Sequence, residues 1–65
     1  DVAALGEALE RLEAADPRKG RIVEMRFFSE LPDDVIARIL DVSTRTVERE
    51  WRFAKAWLRR EVERA

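Results

Sequence analysis

Sixty-five residues allow one domain with one small core, and a chain this short buries only about 60% of its unfolded surface. Neither cysteine nor histidine occurs, which excludes a disulfide framework, thiolate metal sites and the commonest general base; with no glycine-rich phosphate loop, and no Ser or Thr beside a plausible base, the composition speaks against an enzyme and against a bound cofactor or metal. Charged residues make up 42% of the chain but leave a formal net charge of only −1, and no apolar run approaches the roughly 20 residues of a membrane span.

Val2, Leu5, Leu9 and Leu12 recur at three- and four-residue steps, which predicts an amphipathic helix over about residues 2–15. Asp16 stands before Pro17, and the residue before a proline is pushed out of helical geometry, so the helix stops there. The same dipeptide opens a second helix, with Asp16 as N-cap and Pro17 in the first helical position. That helix, about residues 17–28, carries Ile22, Val23, Met25, Phe27 and Phe28, a wide apolar surface suited to packing on two sides. Gly20 inside it costs about 1 kcal/mol relative to alanine. After a break at Ser29, Glu30 and Leu31, Pro32 with Asp33 and Asp34 opens a third helix over about residues 33–40; acids in a first turn suit the helix dipole. A fourth runs from about residue 44 to 63, because no glycine or proline interrupts it. The expectation is a single all-α, four-helix domain. It starts without a methionine and ends inside a charged helical pattern, so it reads as a piece of a longer chain. Without cysteines or an export pattern, a cytoplasmic location is expected.

The segment LPDDVIARILDVSTRTVEREW is the most informative part of the chain. Val35, Ile36, Ile39 and Leu40 form one apolar side of its first helix, with the small Ala37 in the middle. The break that follows, Asp41-Val42-Ser43, is short enough to be only a tight turn, and Ser43 is a strong N-cap candidate for the helix beginning at Thr44. Val42 and Val47 can plug the corner between the two helices. Helix, three-residue turn, helix is the DNA-binding helix-turn-helix arrangement, whose second helix lies in the major groove. An ordinary helical hairpin has a similar outline, so the chemistry of the second helix has to separate the two.

That chemistry is basic. Residues 1–44 carry ten acids and six bases, whereas residues 45–65 carry seven bases and four acids. If Val47, Trp51 and Ala54 face the core, Thr44, Arg45, Glu48, Arg49 and Arg52 point away from it, in the two turns of a reader helix that reach base edges. Arg45 and Arg49 share a face. An arginine fork matches the two acceptors of guanine, and Glu48 could accept from a cytosine amine. Thr44 suits a phosphate or a thymine methyl, while Arg52 and Lys55 suit phosphate. The competing reading is a solvated surface of helical ion pairs, each worth a few tenths of a kcal/mol. Of the aromatics, Trp51, Phe53 and Trp57 fall within seven residues; most of that surface is expected in the core and the rest on a partner-facing patch. Stacking on single-stranded bases ranks below both.

Taken together, DPRKGRIVEMRFF and LPDDVIARILDVSTRTVEREWRFAKAWLRRE resemble region 4 of bacterial sigma factors, most closely those of the extracytoplasmic-function (ECF) subgroup. The resemblance runs from about Leu5 to Glu61. Its most specific parts are the VEMRFF helix, the corner IARILDVSTRTV and the ending WRFAKAWL. It implies an all-helical domain whose last helix enters the major groove of the promoter −35 element, which docks on the flap of the RNA polymerase β subunit, and which anti-sigma proteins often mask. By position it assigns the DNA contact to Thr44, Arg45, Glu48, Arg49 and Arg52, with Arg26 as a supporting phosphate contact. The chain departs from the usual family pattern at Glu30 and Asp41, where glycine is frequent, and at Pro32, where serine is. Asp41 must then adopt turn geometry that aspartate tolerates better than most residues.

The expected function is therefore promoter recognition by an ECF-like sigma domain that is a monomer in isolation. The alternatives are the helix-turn-helix of a dimeric regulator, or a helical interaction module that binds polymerase or an anti-sigma factor without reading DNA.

Overall fold

The computed structural model describes residues 2–64, and every regular element among them is helical. Helix α1 is Val2–Ala15, α2 is Pro17–Val23, α3 is Asp33–Leu40 and α4 is Thr44–Arg64, with a π-helical turn, Glu24–Phe28, continuing α2. The fold class and four-helix order are those expected. At about 1.5 Å per residue, the 21 residues of α4 account for most of the 34 Å long dimension, and the other elements pack along it.

Local chemistry fixes the ends. Asp16 is extended (φ −148°, ψ 90°) and its carboxylate accepts from the Lys19 backbone N–H at 3.2 Å, with Pro17 at the first helical position. Ser43 caps α4, its Oγ accepting from the Thr46 N–H at 3.1 Å. Pro32, which precedes α3, contributes no side-chain cap. Asp41 ends α3 in the left-handed region (φ 56°, ψ 49°), as its place in a tight turn requires, and Val42 N–H closes back on the Ala37 carbonyl at 3.0 Å. Glu30 is also left-handed, at φ 54°.

Two apolar clusters meet at one residue. Ala8, Leu12, Val23, Ala54 and Leu58 join α1, α2 and α4; Ile22, Ile36, Ala37 and Val47 join α2, α3 and α4; Trp51 packs against both. Val47 is fully buried beside Ile36, with Val42 against the same cluster, so the corner is plugged as expected. A salt bridge from Arg11 to Glu61 at 3.2 Å also ties α1 to α4.

Several expectations are corrected. Val2, placed on the core stripe by its spacing, is 88% exposed, and Ala8 is the fully buried residue of α1 beside Leu12. Ile39, assigned to the apolar side of α3, and Phe53, grouped with the core aromatics, are each more than half exposed. The helix expected over residues 17–28 does not remain α-helical. From Glu24 it widens, with the Ser29 N–H reaching back five residues to the Glu24 carbonyl at 3.0 Å. A π turn inserts an extra residue into the helical repeat, which rotates Phe27 and Phe28 off the core; both are exposed, packed edge to face with ring centroids 5.1 Å apart. The second helix still packs on two sides, against α1 and α4, but through Gly20, Ile22 and Val23 and not through the two phenylalanines.

Candidate nucleic-acid interface

The capped, left-handed corner holds the first two turns of α4 against α3 and leaves their outer face open. Thr44, Arg45, Glu48, Arg49 and Arg52 are all exposed, as is Lys55 one turn further on. The register follows from burial, since Val47, Glu50, Ala54 and Leu58 face inward. Among the described residues neither Arg45 nor Arg49 is held in an ion pair, whereas Arg52 lies 3.7 Å from Glu48 with both side chains mostly in solvent. An exposed pair of that kind contributes a few tenths of a kcal/mol and is easily exchanged for another partner. The face therefore presents two uncommitted guanidinium forks four residues apart, which is the donor geometry that bidentate recognition of guanine or phosphate needs.

Arg26 and Lys55 are placed differently. Arg26 is ion-paired with Asp33 at the start of α3, and its guanidinium lies 5.2 Å from the centre of the Trp51 ring. The Lys55 ammonium sits 5.8 Å from the same ring. Both thus gather at Trp51 instead of standing with Arg45 and Arg49. Lys55 also lines an apolar groove of about 320 Å³ whose walls include Leu5 and Leu9 of α1, Phe27 and Phe28 of the π turn, and Trp51 and Val62 of α4. Of the large apolar side chains left exposed, Phe27 and Phe28 line this groove, and Val2, Ile39 and Phe53 lie outside it. Of the residues the sequence offered for a partner face, Trp51 is in the groove and Phe53 and Trp57 are not among its walls.

Sequence reasoning missed Glu50. It is 5% exposed and is the one buried charged residue among those described. Its carboxylate accepts both N–H groups of the Arg18 fork, Nε to Oε1 at 2.9 Å and Nη2 to Oε2. That hydrogen bond, and then the charge of Glu50, hold the Arg18 guanidinium above its ordinary pKa. The signal was present, because Glu50 lies three residues after Val47 and four before Ala54, inside the buried stripe. Its partner, 32 residues away, was not visible in any local pattern.

An all-helical domain with a helix-turn-helix corner and a basic, exposed second helix belongs to the class of DNA-binding transcription proteins. The family comparison is specific: the model for ECF sigma factors matches residues 1–64. This chain belongs to the ECF sigma factor family, and with it comes a sigma factor's role in transcription initiation, in which polymerase and promoter DNA are the partners. Comparison with curated proteins and with solved structures gives no match. Among the described residues no helix is long and apolar enough to cross a membrane, and no acidic cluster is disposed to hold a metal ion.

Proposed function

We propose that residues 1–65 act as one region 4 domain that reads the promoter −35 element through the first two turns of α4 and reaches it while docked on the flap of the polymerase β subunit. Arg45 and Arg49 meet base edges, Glu48 accepts from a base amine, and Thr44 and Arg52 anchor to phosphate. The observation that carries this reading is the pair of uncommitted arginines on the exposed face of a helix held by a capped corner. Lys55 serves the groove side, whereas Arg26 lies outside the groove's walls, and a backbone contact from it would have to displace Asp33.

Docking is needed because the electrostatics are modest. The chain is net −1, so the attraction to phosphate is local and releases roughly 3–5 counterions. Tethering to polymerase raises the effective concentration of the reader helix at the promoter, and the apolar groove between α1, the π turn and α4 is the surface for it. An anti-sigma protein covering the groove would break the tether.

Selection of bound sequences from a random duplex pool tests the reading. One short asymmetric site, bound weakly by a monomer, is the expected result. A palindromic site bound by a dimer would replace it with the free-standing regulator, and enrichment of nothing at low salt would leave only the interaction module.

A further inference from the structure

The Arg18–Glu50 pair is a poor means of stabilising so small a domain. Taking a carboxylate out of water costs several kcal/mol, which a good partner offsets without a large surplus. What the pair adds is direction. Val47, Trp51 and Ala54 also pack inward near the start of α4, and apolar contacts, being non-directional, leave room for a small roll of the helix about its own axis. A two-pronged hydrogen bond does not. The backbone that carries Arg18 is itself fixed, since it follows the Asp16 cap and Pro17 in the first turn of α2. The ring of the adjacent residue, Trp51, is met by Arg26, which is paired to the first residue of α3.

We infer that Arg18 and Glu50 are positioning residues for base readout, whose paired side chains set the roll of α4 and hence the base edges that Arg45 and Arg49 meet. The inference rests on the reading of α4 as the groove helix. On a helix about 10–12 Å across, a roll of about 10° moves a surface group by about 1 Å. That is enough to spoil a bidentate bond to guanine, whose useful distances span about half an ångström. Phosphate attraction tolerates the same displacement. Loosening the pair should therefore erode sequence preference while leaving non-specific affinity intact.

The test compares the preferred duplex from the selection with a scrambled one, at low salt, for wild type, Arg18→Lys and Glu50→Gln. Lysine keeps the charge but not the fork, and the Arg18 side chain is 49% exposed, so Arg18→Lys is expected to fold even where Glu50→Gln does not. The expected result is a fall of about tenfold in the ratio of preferred to scrambled binding, with the salt slope and the scrambled affinity unchanged. An unchanged ratio in either folded variant, or an equal loss on both duplexes, overturns the inference. Absence of any preference in wild type overturns the reading of α4 itself, and the positioning role falls with it.

Discussion

Gly20 of α2 lies against Glu13 of α1 so closely that a β-carbon on it would stand 3.0 Å from the Glu13 Cα and 2.4 Å from its Cγ. The glycine is buried and has no positive φ, so its use is close approach and not unusual backbone geometry. Two helices joined only by the Asp16-Pro17 corner fold back at short range because one of them carries no side chain there.

Gly20→Ala should consequently destabilise the domain. Helix propensity alone favours alanine by about 1 kcal/mol, but the added methyl forces α1 and α2 apart, and overpacking of this kind costs about 1–3 kcal/mol. The expected outcome is a lower midpoint in urea with an unchanged slope. A higher midpoint would mean that the helices part freely.

Val47 fixes the angle of the helix-turn-helix corner, fully buried beside Ile36. Val47→Asp would bury a carboxylate with no partner, and a domain of this length has about 5 kcal/mol of stability in all. Thermal denaturation followed by circular dichroism should show no cooperative transition. A transition at the wild-type temperature would place Val47 on the surface and displace the register of α4.

The helix boundaries were legible because local chemistry sets them. Asp16-Pro17, Pro32 with its two aspartates, and Ser43 each act within one turn, and all three elements begin where those residues predict. The exposed face of α4 was legible for the same reason, since burial of Val47 and Ala54 puts Arg45, Glu48, Arg49 and Arg52 outside by helical geometry alone. The misses have distant causes. Val2 sits at the outer end of α1, beyond the reach of the packing. A π turn leaves no periodic trace, so the outward rotation of Phe27 and Phe28, and with it the groove, could not be read. The pairing of Glu50 was not legible because its partner is 32 residues away. The close approach at Gly20 likewise depends on which residue of α1 faces it, and its cost as a helix residue was visible where its packing role was not.

The Glu13 and Glu24 carboxyls share a hydrogen bond, and this bond, then desolvation and the charge of Glu24, hold the Glu13 carboxyl above its ordinary pKa. A carboxyl raised by folding favours the native state while protonated. Its contribution is fully present below the unfolded pKa and is lost as pH rises through the folded one. Glu13→Gln keeps the shape and removes the charge, so it should melt higher than wild type at neutral pH, with the difference shrinking as pH falls into the carboxylate range. Asp16 runs the other way. The Lys19 side chain, then its backbone N–H, hold its carboxyl low, so its stabilisation is present above the unfolded pKa and lost as pH falls through the folded one. Melting curves of Asp16→Asn should lie below wild type at neutral pH and converge with it in acid. Parallel pH profiles for wild type and Glu13→Gln would show that the carboxyl pair is not formed.

The reader surface is testable one base pair at a time. Arg45 and Arg49 stand four residues apart on one exposed face, neither engaged by an ion pair among the described residues. A guanidinium that makes a bidentate contact to a guanine contributes about 1–3 kcal/mol of discrimination, and one that touches only phosphate contributes to all duplexes alike. Arg49→Ala removes an exposed side chain from a helix interior and replaces it with the best helix former, so the fold should be unaffected. The expected result is a loss of about 1–3 kcal/mol on the selected site, with preference relaxed at one base pair and retained at the others. Arg52→Ala should instead weaken binding to every duplex and lower the salt slope by about one counterion. If Arg49→Ala behaves as Arg52→Ala is expected to, Arg49 touches the backbone, and the base contact moves to Arg45. If Arg49→Ala changes neither affinity nor preference in a folded protein, the exposed face of α4 is not the surface that meets DNA.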